Sequence, residues 1–178
     1  MNAVRTERVG IVLAGHGVPA TDCPPQLVGE LMGLEWSGSH HGGDAAGGVG
    51  ARIAELDARI RSWPRTGQND PYKAGLERLA EVLRPFLSDK IFAIGYNEFC
   101  SPSVPEAIHQ VIREGASRVL VIPTMLTPGG VHSEQDIPRS LEKVRADHPG
   151  VSIDYVWPFD LQEVARLLAH HIEKVIGS

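Results

Sequence analysis

The sequence predicts an α/β protein. It calls for an open, parallel four-stranded sheet in flavodoxin-like order 2-1-3-4, with helices on both faces. Three observations predict it. Val9–Ala14 and Val119–Ile122 are apolar runs with no polar break, as in strands buried on both faces of a parallel sheet. From Tyr72 to Ile176 strand-like and helix-like patterns alternate, which calls for right-handed crossovers. Turn residues follow both apolar runs at their carboxyl ends, where sheets of this kind bind ligands. The 178 residues fit one domain.

Val9–Ala14 is the first strand, and Gly15-His16-Gly17 follows it. Val18–Asp70 reads as an insertion before the crossover helix. Within it, Gln26–Trp36 is a short helix. Ser37–Gly50 is rich in small residues and reads as a mobile loop holding His40 and His41. The spacing of Ile53, Leu56 and Ile60 predicts a helix over Ala51–Trp63, and Pro64–Pro71 is a loop. From Tyr72 a helix carries Leu76, Leu79, Val82, Leu83 and Phe86 at helical spacing. Lys90–Gly95 is the second strand. Pro102–Glu114 is a helix with Val104, Ile108, Val111 and Ile112 on its apolar face, closed by Gly115. Arg118–Pro123 is the third strand, ended by a proline with no N–H for the ladder. Thr124–Val131 is a loop turning at Pro128-Gly129-Gly130, with His132 at its end. Ser133, Glu134 and Asp136 precede a helix over Ile137–His148, as acids near a helix N-terminus should. Val151–Val156 and Leu161–Ile176 are the last strand and helix.

A net charge of −5 leaves no electrostatic footprint for nucleic acid or an anionic membrane. No apolar run approaches the roughly 18–20 residues of a membrane span, and no signal-peptide stretch opens the chain. Cys23 and Cys100 make no disulfide framework. The expectation is a reduced cytoplasmic enzyme or binding protein.

Order 2-1-3-4 makes the first and third strands neighbours, so His16 and His132 would face one crevice. Neutral imidazole binds divalent Fe, Co, Ni, Cu and Zn, and it accepts protons near neutral pH. The plain alternative makes each a turn or loop residue. Two imidazoles at adjacent strand ends, both beside glycines, favour a joint site. Glu98 follows the second strand, where a carboxylate can complete a metal site, accept a proton, or be a solvated loop acid. Glu106 reads as a first-turn acid and Cys100 as packing. His109, His148, His170 and His171 read as structural or solvated. A short histidine tract such as His40-His41 can gather metal, but nothing positions these rings. Gly42–Gly50 lacks the Lys-Ser/Thr ending of a phosphate loop.

These residues resemble the sirohydrochlorin cobalto/ferrochelatase family, the class II chelatases of CbiX type. Gly15-His16-Gly17 matches its N-terminal motif. EFCSPSVPEA, from Glu98 to Ala107, is similar to its Glu-x-x-x-Pro-Ser-x-x-Glu-Ala segment. GASRVLVIPTMLTPGGVHSEQDIP, from Gly115 to Pro138, resembles its second histidine motif and is the specific one. The likeness covers residues 7–17 and about 72–175. It implies an enzyme that inserts Co²⁺ or Fe²⁺ (Ni²⁺ in an archaeal branch) into a sirohydrochlorin-type tetrapyrrole, on the way to cobalamin or siroheme, with no organic cofactor. It also implies that His16 and His132 bind the metal with Glu98 near them. Gly17, Met125, Leu126, Gly129 and Gly130 would border the macrocycle. The family fold has two similar halves; this chain supplies one, so a homodimer is expected. A metal chaperone without turnover and a tetrapyrrole-binding paralogue are the other classes. The long insertion and Val18-Pro19 depart from the family pattern, and both flank the crevice.

Overall fold

The computed structural model describes residues 7–41 and 48–177, the side chains of 38–41 excepted. The apolar runs form β1 (Val9–Gly15), β2 (Ile91–Tyr96), β3 (Arg118–Pro123) and β4 (Ser152–Tyr155). They pair in parallel, in the expected order β2-β1-β3-β4. Ala14 stands opposite both Gly95 and Pro123, so three strands end at one level.

Six helices accompany the sheet among the described residues: α1 (Pro25–His41), α2 (Val49–Arg61), α3 (Pro71–Leu83), α4 (Val104–Arg113), α5 (Ile137–Asp147) and α6 (Leu161–Ile176). One sheet face presents Val12, Ala14, Ala93, Val119, Val121 and Ile153 to α4 and α5, which meet it with Ile108, Val111, Leu141 and Val144. The start of α4 is set locally. Ser103 accepts from the Glu106 N–H at 3.3 Å, and its own N–H donates to the Glu106 carboxylate at 2.6 Å. Such a capping box is worth about 1 kcal/mol. At Gly95 a Cβ would sit 2.8 Å from Val104 Cα, so only glycine lets α4 approach β2 this closely.

The opposite face presents Ile11, Leu13, Phe92 and Tyr96 to Leu76 and Ala80 of α3. This coverage corrects two expectations. β3 is buried on its α4–α5 side, but Leu120 and Ile122 on the other side are half-buried, because α3 meets chiefly β1 and β2. The predicted apolar face of α3 splits in two. Leu76, Ala80 and Leu83 point at the sheet, whereas Leu79, Val82 and Phe86 are 50%, 68% and 81% exposed. Pro85 enters a short 3₁₀ turn, Arg84–Leu87, which ends the regular helix before Phe86.

The insertion contains a helical hairpin. α1 and α2 pack around their own small core of Ala20, Cys23, Leu31, Leu56 and Ile60. A bidentate Arg52–Glu30 pair joins the two helices at 2.7 and 2.9 Å. The expected loop begins too early in the sequence reading, since α1 stays helical through His41. Inside the helix Ser37 Oγ donates to Gly33 O at 2.8 Å, satisfying itself within the turn. The expectation for 42–47, and any metal role of the His40 and His41 side chains, lies outside the described residues. α6 has no buried residue. No helix among the described residues is long and apolar enough to cross a membrane.

Candidate metal centre

β1 delivers His16 at its carboxyl end. Past the last strand residues the β1–β2 pairing continues: Asn97 N–H donates to Gly15 O at 2.9 Å and Glu98 N–H to His16 O at 2.8 Å. Gly17 turns with φ +89°, and a Cβ there would lie 1.9 Å from Glu98 O. No side chain fits that contact. The backbone itself therefore sets Glu98 beside His16. From α3, the Tyr72 hydroxyl accepts the His16 N–H at 2.8 Å.

β3 delivers His132 by a longer route. Thr124 N–H donates to Ala14 O at 2.9 Å, and the loop through Gly129 and Gly130 then folds back. Gly129 N–H donates to Glu134 Oε1 at 2.6 Å, and Ser133 Oγ to Gly130 O at 3.1 Å. His132–Asp136 form one π-helical turn ahead of α5. From β4 the Tyr155 hydroxyl donates to Ser133 O at 2.9 Å. Burial, aided by the charge of Glu134, pushes that phenol up to about 12, so it remains a donor at ordinary pH. π turns are rare, and they are frequent at functional sites.

The two imidazoles stand edge to face, with centroids 4.5 Å apart and planes at 86°. Glu98 reaches both: Oε2 is 4.0 Å from His16 Nε2, and Oε1 is 3.6 Å from His132 Nδ1. Among the described residues, His16, Glu98 and His132 form the group whose donor atoms all lie within 4.8 Å of one another. Metal–nitrogen bonds near 2.0–2.1 Å place ligands of one ion about 3–4 Å apart, so the spacing suits a shared ion.

The proton positions suit it too. His16 Nδ1 is 2.5 Å from the Gly17 carbonyl, which can only accept. The ring therefore carries its proton on Nδ1 and offers the Nε2 lone pair. His132 Nδ1 has rival partners, Asp136 Oδ2 at 2.8 Å and Asn97 Nδ2 at 3.0 Å. The carboxylate is the stronger partner, so Nδ1 holds the proton and Nε2 is again free. A carboxylate behind a ligand histidine fixes its tautomer and raises its basicity.

Acidic groups surround the pair. The Glu35 carboxyl of α1 is held above the usual carboxylate range, first by desolvation and then by the charges of Glu98, Asp57 and Asp136. A cleft of this charge attracts cations.

Of the other residues singled out by sequence, Met125 packs half-buried against the α4–α5 face, while Leu126 is 37% exposed. Cys100 is buried beside Tyr96 and Leu76. His109 and His148 pair with each other, at 5.0 Å between centroids. His170 and His171 are exposed on α6. Sequence reasoning missed Asn97, Tyr72 and Glu35 as members of this neighbourhood. It placed Asp136 only as a helix-terminus acid, although its separation of four residues from His132 is a spacing at which side chains meet.

The CbiX family model matches residues 67–175. The chain is 31% identical over 100 residues to the sirohydrochlorin cobaltochelatase of Sulfurisphaera tokodaii, covering 56% of this chain and 78% of that protein. It is 37% identical over 83 residues to the sirohydrochlorin cobaltochelatase of Methanocaldococcus jannaschii, covering 46% and 57%. It is 32% identical over 78 residues to the sirohydrochlorin ferrochelatase of Priestia megaterium, covering 44% and 28%. The match to the Methanocaldococcus protein thus spans little more than half of that protein's length.

Two solved structures share the fold. The sirohydrochlorin chelatase SirB of Bacillus subtilis subspecies spizizenii in complex with cobalt has a TM-score of 0.52 at 16% identity, covering 94% of this chain and 51% of that one. A cobalamin-biosynthesis CbiX protein of Marinobacter aquaeolei has 0.50 at 18% identity, covering 96% and 99%.

Proposed function

The chain belongs to the CbiX family, and on that premise we propose that it is a tetrapyrrole metal chelatase, inserting Co²⁺ or Fe²⁺ into sirohydrochlorin or a related macrocycle. The observation that carries the reading is the convergence of His16, His132 and Glu98 at the ends of adjacent strands. The metal is substrate, held by His16 and His132 with Glu98 beside them. Gly17, Gly129, Gly130, Met125 and Leu126 border the macrocycle.

Insertion exchanges one dication for two pyrrole N–H protons. An imidazole that releases the metal regains its lone pair at that moment and becomes a base. Two imidazoles giving up one M²⁺ and taking two protons leave the charge of the site unchanged. Asp136 and the Gly17 carbonyl stabilise the imidazolium forms that result. Imidazole and carboxylate do not by themselves select Co²⁺ over Fe²⁺ or Ni²⁺.

The protein acts in the cytoplasm as a homodimer in this reading. Support for the dimer comes from α6, where Leu161, Leu167, Leu168 and Ile172 are 53% to 59% exposed on a helix with no buried residue. The half-buried Leu120 and Ile122 add apolar surface on the thinly covered sheet face. The fold neighbour SirB, of which this chain covers 51%, fits a two-halved arrangement.

The test is to incubate the protein with sirohydrochlorin and with protoporphyrin, each with Co²⁺, Fe²⁺ or Ni²⁺, and to follow the absorbance. Metallated sirohydrochlorin with Co²⁺ or Fe²⁺ is the expected product. Tight metal binding with an unchanged macrocycle spectrum would assign a metal chaperone instead.

A further inference from the structure

We propose that Arg61 and Arg65 are positioning residues for the Glu98 carboxylate, gripping from the α1–α2 side the backbone of the loop that carries it. The proposal rests on the metal-holding role of Glu98 given above.

Arg61 is the last residue of α2. Its Nη1 donates to Cys100 O at 2.7 Å and its Nη2 to Asn97 O at 2.8 Å. The other edge is fixed, because Nε donates to both Asp57 oxygens at 2.8 and 2.9 Å. Both edges of one planar fork are thus engaged. Arg65 takes the carbonyl between them, with Nη2 donating to Phe99 O. Its Nη1 donates to Val18 O at 2.7 Å and to Asp70. The Arg65 and Asp70 side chains are 6% and 1% exposed, so this ion pair is buried. Asp70 also accepts the Lys73 N–H at 2.8 Å at the start of α3, one turn that also carries Tyr72.

The loop is therefore stitched along both edges. The N–H groups of Asn97 and Glu98 bond to the end of β1, while the carbonyls of Asn97, Phe99 and Cys100 bond to the arginines. Phe99 is bent into the left-handed region at φ +55°, which a non-glycine residue holds only when its surroundings impose it. The Phe99 ring packs against the hairpin core. With its neighbours fixed on both sides, Glu98 is left to project toward the imidazoles. Both arginines lie before residue 67, outside the stretch that matches the family model.

A double-mutant cycle tests this. Co²⁺ affinity, and kcat and KM for metallation of sirohydrochlorin, are measured for the parent, Arg61→Ala, Arg61→Lys, Glu98→Gln and the Arg61→Ala/Glu98→Gln pair, with melting temperature as the check on folding. Arg61→Ala should weaken Co²⁺ binding about tenfold, the lower end for outer-shell partners of a ligand. Arg61→Lys, with one ammonium for two carbonyls, should fall between it and the parent. In the Glu98→Gln background, removing Arg61 should have no further effect on affinity. Parental affinity in Arg61→Ala, or a full second tenfold loss in the pair, overturns the proposal. Parental Co²⁺ affinity in Glu98→Gln itself removes the role of Glu98, and the proposal with it; the cycle thus separates the two failures. Arg65→Ala is the poorer probe, since it strands Asp70 as a buried, unpaired charge.

Discussion

The strand ends and the α1–α2 hairpin reach the same cleft by different means. β1 and β3 deliver His16 and His132 from backbone whose register is fixed by parallel ladders. The hairpin holds a core of its own and touches the cleft through side chains, with Arg61 and Arg65 on the Glu98 loop and Glu35 among the acids. The difference separates two tasks. The two imidazoles come from the rigid layer. The groups that grip the Glu98 loop come from the appended region.

Substitutions can break or sharpen that contrast. The largest effect belongs to the rigid layer. His132→Ala should cut the metallation rate by about 10²–10⁴-fold, the range for a positioned acid–base group. Its melting temperature should stay close to the parent's, since the side chain is 28% exposed and packs in no core cluster. An unchanged rate in a spectrophotometric assay would remove His132 from the site. Next comes the hairpin core. Ile60 is fully buried there, and Ile60→Ala should cost about 2–5 kcal/mol. Hydrogen exchange should report that loss in α1 and α2 while β1 and β3 keep their protection. Equal loss in both regions would show that the hairpin and sheet unfold as one unit.

A smaller change falls behind His132. Asp136→Asn removes the charged acceptor at His132 Nδ1 and should weaken Co²⁺ binding about tenfold in a titration. An undiminished affinity would show that Asp136 does not hold the ring in its metal-binding tautomer. The smallest is electrostatic. The folded-state pKa of Glu35 lies above its unfolded value, so the native state binds this proton more firmly. Its contribution to stability is then present at low pH and lost as pH rises from the ordinary carboxylate value through the raised one. Glu35→Gln should flatten that part of a melting-temperature profile, and an identical slope in both proteins would deny the coupling.

The sheet order and the meeting of His16 with His132 were legible because they follow from uninterrupted apolar runs and from topology. Asp136 was half legible: its spacing from His132 is local, but the π turn that aims it is also held by Tyr155 from β4. The arginine clamp was not legible. Its partners are backbone carbonyls, which carry no residue identity, and they lie more than 30 residues away. The same holds for α1 beyond Trp36, where glycine and serine composition suggested a loop while the helix runs on to His41, with Ser37 Oγ satisfied by Gly33 O within the turn. The split of the α3 stripe escaped because Leu79, Val82 and Phe86 have helical spacing with or without a surface to cover them.

α6 carries a consequence for behaviour on dilution. Asp160 caps its first turn, accepting from Gln162 N–H at 2.7 Å, yet none of its residues is buried. Most helical stability comes from packing of an apolar face, and α6 buries no residue against the rest of the chain. In the homodimer proposed above its amides should take up deuterium quickly at nanomolar protein and slowly at high concentration, while those of α4 stay slow at both. The C-terminal turns would then act as a gauge of association, read from the same sample without any substrate.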